Sequence, residues 1–138
     1  MKRSRVLFLC IHNSARSQMA EGLLRQLAGG RSDVFSAGIE AGSLRPEAVA
    51  VMKEIGVDIS TQRSKSVDEY AGQPFEVVVT TCDEAKEACA LFPGAQRMLH
   101  WSVPDPAGVD GDPGRRAIAF RAARDMLRQK IQEVLSTG

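Results

Sequence analysis

The chain has 138 residues, the size of one ordinary domain, and is long enough to bury a core without disulfide or metal staples. With 18 basic and 17 acidic residues the net charge is +1, which excludes the broad basic face of a nucleic-acid or membrane-surface binder, so any anion site has to be local. No stretch is long enough to span a bilayer. Lys2, Arg3 and Arg5 are not expected to begin a signal peptide, because the apolar run behind them is short and leads straight into His12-Asn13-Ser14; a cytoplasmic protein is expected.

Val6 to Leu9 is a continuous apolar run, as in a strand buried on both faces, and Ser17 to Leu27 places Met19, Ala20, Leu23, Leu24 and Leu27 at helical spacing until Gly29-Gly30 stops it. Val34 to Ala37 reads as a short strand ended by Gly38. Arg45-Pro46-Glu47 then opens a helix through Ile55, with proline in the first turn and Gly56 as its C-cap. Val57 to Gln73 is polar and mixed, with a short helix expected near Val67 to Tyr70. Phe75 to Thr80, with three consecutive valines, is the strongest strand signal. Asp83 to Leu91 reads as a helix closed by Pro93-Gly94, and Arg97 to Trp101 as a strand. Asp105 to Gly114 is a loop rich in Pro, Gly and Asp before a final amphipathic helix, Arg115 to Leu135.

This alternation predicts an α/β fold: a single three-layer domain over residues 1–138, with a four-stranded parallel sheet covered by helices on both faces. In such sheets ligands sit outside the carboxyl ends of the strands. Cys10 follows the first strand, Cys82 the third and Asp105 the fourth, which places all three at one edge. There is no internal repeat, low-complexity tract or linker.

Cys10 and Arg16 bracket a short loop, Cys10-Ile11-His12-Asn13-Ser14-Ala15-Arg16-Ser17, where a strand hands over to a helix N-terminus. Unpaired amides and the helix dipole favour negative charge there, so the same loop that holds a tetrahedral oxyanion stabilises a thiolate able to attack it. Arg16 offers a planar, permanently charged fork for two oxygens of that anion; the alternative is a solvated arginine at a helix start. Ser17 is placed either to hydrogen-bond the Cys10 sulfur or to cap the helix, and both roles are compatible. Asn13 is suited to fixing the loop through side-chain to backbone bonds. Asp105, between Pro104 and Pro106, is a candidate general acid as well as an ordinary turn aspartate.

The three cysteines, Cys10, Cys82 and Cys89, are an odd number in a reducing compartment, which argues against a disulfide framework and leaves burial or chemistry. If the segment from Cys82 to Cys89 is helical, the two Cα atoms stand roughly 10 Å apart at about 1.5 Å per residue. A disulfide needs about 4.4 to 6.8 Å, so the pair can bond only if that helix melts or bends.

Together these residues resemble the low-molecular-weight phosphotyrosine phosphatase superfamily and, within it, the thioredoxin-coupled arsenate reductases. The resemblance spans nearly the whole chain: Val6 to Cys10 into Asn13-Ser14-Ala15-Arg16-Ser17-Gln18-Met19-Ala20-Glu21-Gly22, then Ser36-Ala37-Gly38, Thr80-Thr81-Cys82-Asp83, Cys89, and Trp101-Ser102-Val103-Pro104-Asp105-Pro106. It implies that Cys10, Arg16, Ser17, Cys82, Cys89 and Asp105 are catalytic and that Ile11, His12, Asn13, Ser14, Ala15 and Arg16 bind the substrate. It further implies arsenate reduction through a relay of the three thiols, with no bound cofactor, reduced thioredoxin as electron donor, phosphate or sulfate as competing anions, and a monomeric enzyme.

Two loop positions depart from the commoner pattern: His12 stands where related reductases often have glycine, and Ile11 where they have threonine. Some relatives bind potassium beside this loop through asparagine, glutamate, serine and aspartate. Asn13, Glu21 and Ser36 match that set, but Lys65 stands at the aspartate position, so an ammonium in place of the ion, no metal and no potassium requirement are expected. A phosphatase for phosphotyrosine or a small phosphomonoester is the main alternative, weakened because Pro106-Ala107-Gly108, rather than an aromatic wall, follows Asp105. A non-catalytic anion sensor is the remaining class, disfavoured by the coincidence of three thiols, Arg16 and Asp105.

Overall fold

The computed structural model describes residues 4–82, 92 and 94–137, with side chains to residue 134. Its elements in chain order are β1 (Ser4–Cys10), α1 (Arg16–Ala28), β2 (Ser32–Gly38), α2 (Pro46–Lys53), a 3-10 turn at Val67–Glu69, β3 (Val77–Thr80), β4 (Arg97–His100), a second 3-10 turn at Pro106–Gly108, and α3 (Pro113–Thr137). The helix expected over Asp83 to Leu91, and with it Cys89, lies outside the described residues.

All pairings in the sheet are parallel, in the order β2-β1-β3-β4, so the chain runs outward from β1 in one direction and then returns past it in the other. That reversal leaves a crevice at the carboxyl ends of β1 and β3, the place where open α/β sheets receive ligands. Strand alternation divides the core in two. Val6, Phe8, Val34 and Val79 join Met19, Leu23, Met52, Phe120, Leu127 and Ile131 in the larger cluster, under α1, α2 and α3. Leu7, Leu9, Ala37 and Val78 join Phe75, Phe92, Cys10 and Cys82 in the other.

The observed boundaries differ from the expected ones for local reasons. The second helix stops at Lys53 because its last turn tightens: Ile55 N–H donates to Met52 O (3.1 Å) and Gly56 N–H to Lys53 O (3.0 Å), three residues back, and Gly56 takes a φ of 79°. The third strand begins at Val77, where β1 and β4 both reach it, while Phe75 turns into an aromatic cluster with Phe35, Tyr70 and Phe92. The final helix starts earlier than expected, since Asp112 Oδ1 accepts from Arg115 N–H (2.9 Å) and Pro113 fits the first turn. Among the described residues no helix is long and apolar enough to cross a membrane.

Candidate functional site

Cys10 is the last residue of β1 and Arg16 the first of α1, and the five residues between them make a tight loop. The carbonyls of this loop are drawn to one side. Cys10 O accepts from Ile39 N–H (3.1 Å), Ile11 O from Glu40 N–H (2.8 Å), His12 O from Gly42 N–H (3.0 Å) and from the Ser64 hydroxyl (2.8 Å), and Ser14 O from Arg45 N–H (2.9 Å). In a trans peptide the following N–H points opposite to the carbonyl. Anchoring the carbonyls outward therefore turns the amides of Ile11, His12, Asn13 and Ala15 toward the inside of the loop. The Asn13 amide shows the result directly, because it donates to the Cys10 sulfur at 3.1 Å. The helix that follows has Ala15 at its N-cap and no side-chain cap, so the amides of its first turn are not taken up by a capping side chain. Ser17 lies inside α1 and does not cap it; of the two roles open to it, the structure selects the bond to sulfur.

Asn13 holds this loop together. Its φ of 52° lies in the left-handed region, which asparagine tolerates better than most residues. Its side chain is completely buried and has every hydrogen-bonding position filled. Nδ2 donates to Ser17 Oγ (2.7 Å) and to Ser36 Oγ (2.9 Å), while Oδ1 accepts from Gln18 Nε2 (2.9 Å) and from Lys65 N–H (2.9 Å). Ser17 Oγ lies 2.8 Å from Cys10 Sγ. A thiolate can only accept, so toward an ionised sulfur both Ser17 and the Asn13 amide act as donors.

The network continues to a buried ion pair. Ser36 Oγ donates to Glu21 Oε1 at 2.5 Å, and Lys65 Nζ lies 3.5 Å from the same oxygen while donating to Arg63 O at 2.9 Å. Glu21 Oε2 meets Arg25 at 2.7 Å. Burial pushes the Lys65 ammonium below the ordinary lysine range, with Glu21 pulling the other way. Thus Asn13, Glu21, Ser36 and Lys65 converge beneath the loop, with the ammonium on the carboxylate.

Arg16 is buried and donates through Nη1 to Val103 O (2.9 Å), which aligns its guanidinium; Nη2 lies 3.9 Å from Asp105 Oδ2. Asp105 sits on the rim, its side chain 49% exposed against 8% for that of Arg16. Its other oxygen accepts from Ala107 N–H at 3.0 Å. Arg116 steadies this segment by donating to Ala107 O (3.2 Å) and Val109 O (3.0 Å) while pairing with Glu47.

Thr81 N–H and Oγ1 both donate to Leu9 O, at 2.8 and 2.9 Å, which carries the β3 strand end along β1 and sets Cys82 in the same apolar cluster as Cys10. Both cysteines are buried. The arrangement joins a nucleophile, an amide and guanidinium cradle and a carboxyl on its rim, the groups required to bind an oxyanion, attack its centre and protonate a departing oxygen.

Three contributors had no assigned role in the sequence reading. Gln18 clamps both oxygens of Asn13, at 3.0 and 2.9 Å, and its only sequence signal is a polar residue among the apolar ones of α1. Val103 acts through its carbonyl, which sequence does not display. Gly38 packs so closely that a Cβ there would lie 2.6 Å from Asn13 N, 2.7 Å from His12 C and 2.7 Å from Ile11 O, all backbone atoms of the loop.

The model of the low molecular weight phosphotyrosine protein phosphatase family matches residues 5–137. The chain is similar to an arsenate reductase of Halalkalibacterium halodurans, 41% identical over all of this chain and 99% of that one. It is also similar to an arsenate reductase of Bacillus subtilis strain 168, 40% identical over the same shares. Among solved structures, an arsenate reductase in the phosphate binding state superposes with a TM-score of 0.85 at 29% identity, covering 97% of this chain and 98% of that chain.

Because Gly38 touches loop backbone, Gly38→Ala is expected to weaken phosphate binding about tenfold or more by calorimetry, the lower end of what overpacking costs. Gly42→Ala is the control, since the nearest atoms to its Cβ would be the His12 Cβ at 3.3 Å, the His12 carbonyl oxygen at 3.5 Å and the His12 Cγ at 3.9 Å, none of them as close as the loop backbone lies to Gly38. Equal losses in the two variants would contradict this account of the loop.

Proposed function

Because the chain belongs to the low molecular weight phosphotyrosine protein phosphatase family, we propose that it turns that family's anion cradle to reducing arsenate to arsenite, with electrons supplied by reduced thioredoxin. The observation that carries this reading is the second buried thiol, Cys82, in the apolar cluster of Cys10. Hydrolysis of a phosphate ester needs one thiol, whereas reduction needs two electrons and hence a second. The names of the relatives that match over their whole length support the same activity.

The steps follow from the site. Arsenate enters the loop against the inward amides and Arg16. Cys10 thiolate attacks arsenic, Asp105 protonates the departing oxygen, and water leaves a cysteine-arsenate adduct. Cys82 thiolate then attacks the Cys10 sulfur, and the electron pair of the sulfur-arsenic bond passes to arsenic, which leaves as arsenite. Cys89 attacks Cys82, releasing Cys10 as thiolate and leaving a Cys82–Cys89 disulfide for thioredoxin to reduce. No resident cofactor takes part, and one monomer carries every group named. Phosphate fits the same cradle, so slow phosphatase activity accompanies the main reaction. A dedicated phosphotyrosine phosphatase is disfavoured by the short 3-10 turn Pro106–Gly108 behind the acid, which offers no aromatic wall.

The Lys65 ammonium on Glu21 supplies the positive charge a bound potassium would bring, so the enzyme works without that ion.

In a coupled assay with thioredoxin, its reductase and NADPH, arsenate-dependent oxidation is expected to continue over many turnovers for wild type and to stop in Cys82→Ser and Cys89→Ser. Cys89→Ser should retain phosphatase activity, which Cys10→Ser loses. Undiminished turnover in Cys89→Ser would rule out the relay. Exchanging sodium for potassium at constant ionic strength should change kcat/KM for arsenate by less than about twofold. A severalfold rise would show that Lys65 does not replace the ion.

A further inference from the structure

On the face of the sheet that carries Val6 and Phe8, the helices do not close fully over the beginnings of the strands, at the end remote from Cys10. They leave a cavity of about 290 Å³. It is open to solvent on one side. The walls are apolar, with Phe8 and Val79 on the sheet, Leu24 on α1, Ile131 on α3, and Trp101 beside Phe8, ring centroids 6.0 Å apart.

Among the described residues no carboxylate lines this cavity, but two arginines do, Arg31 and Arg97. Arg97 falls in the register row of Val6 and Val77, at the cavity's solvent end, and is exposed. Its guanidinium forms no hydrogen bond or ion pair among the described residues. Arg31 uses Nε on Ala28 O at 2.9 Å, and among the described residues its other nitrogens have no side-chain partner. β2 and β4 flank β1 and β3, so the two arginines approach the mouth from opposite sides of the sheet.

A largely apolar chamber whose charged lining, among the described residues, is two arginines is complementary to a molecule with an apolar body and one negative end. A small hydrated anion would leave the chamber dry, and a cationic or neutral amphiphile would meet Arg31 and Arg97 without a partner for them. We infer that this cavity is a second binding site, distinct from the oxyanion loop, for a medium-chain aliphatic carboxylate whose tail lies against Phe8, Leu24 and Trp101 and whose carboxylate pairs with Arg97, assisted by Arg31.

Trp101 is the only tryptophan in the chain, so its emission reports on the cavity. Titration of the full-length protein with decanoate, below its micelle concentration, is expected to change that emission saturably, with a matching heat in calorimetry. Arg97→Glu, a change at an exposed position, should weaken decanoate about tenfold or more while leaving phosphate binding at the loop unaltered. Decanol and decyltrimethylammonium should bind at least about tenfold more weakly than decanoate. Absence of both signals, equal affinity for the three amphiphiles, or undiminished binding by Arg97→Glu would each overturn the inference.

Discussion

Four hydrogen bonds to one buried side chain, that of Asn13, fix the loop on which the chemistry depends. A loop that presents its amides inward has its backbone dipoles aligned, and without a ligand those dipoles repel. The structure opposes that tendency from two sides. Segment 39–45 draws the carbonyls outward, and Asn13 pins the turn from within. Since all four positions of the amide are filled, loss of the side chain would remove one partner each from Ser17, Ser36, Gln18 and the Lys65 amide at once. Beneath it the chain of hydrogen bonds from Ser17 through Asn13 and Ser36 ends on the Glu21 carboxylate, which the Lys65 ammonium pairs. A buried ion pair is weak evidence for added stability, and its place here fits a role in specifying one loop geometry.

The sheet order determines which thiols can meet. β1 and β3 are neighbours, although more than sixty residues separate them, and their parallel register brings Cys10 and Cys82 out at the same edge. β4 adds Trp101 to Asp105 beside them, so the acid reaches Arg16 from the strand next to the one that carries Cys82. Cys10, Cys82 and Asp105 thus come from the ends of three adjacent strands, and a single parallel sheet is enough to assemble them.

The strand pattern and the Cys10 to Arg16 loop were legible in the sequence because both are local. Val6 to Leu9 reads as a buried strand from its composition, and Cys10 and Arg16 bracket the turn from that strand into a helix start within seven consecutive residues. The roles of Gly38, Gln18 and Val103 were not legible, because each acts across the fold on atoms distant in sequence: a missing Cβ against loop backbone, an amide on Asn13, a carbonyl on Arg16. Ser17 was ambiguous for a related reason. Capping and sulfur bonding call for the same residue type, and only the position of Ser17 within α1 separates them. The early start of α3 at Pro113 could have been read from Asp112-Pro113, a cap followed by a first-turn proline, had the neighbouring glycines not pointed to a loop.

The redox reading rests on electrons leaving the protein through its own sulfurs, and stoichiometry tests that without any partner. Fully reduced protein would be mixed with one equivalent of arsenate in the absence of thioredoxin, and arsenite, remaining thiols and disulfide linkage measured together. The account predicts one arsenite per chain, loss of two of the three thiols, and a disulfide joining Cys82 to Cys89 with Cys10 still reduced. Arsenite formed without loss of thiols, or no arsenite with all three thiols intact, would contradict it.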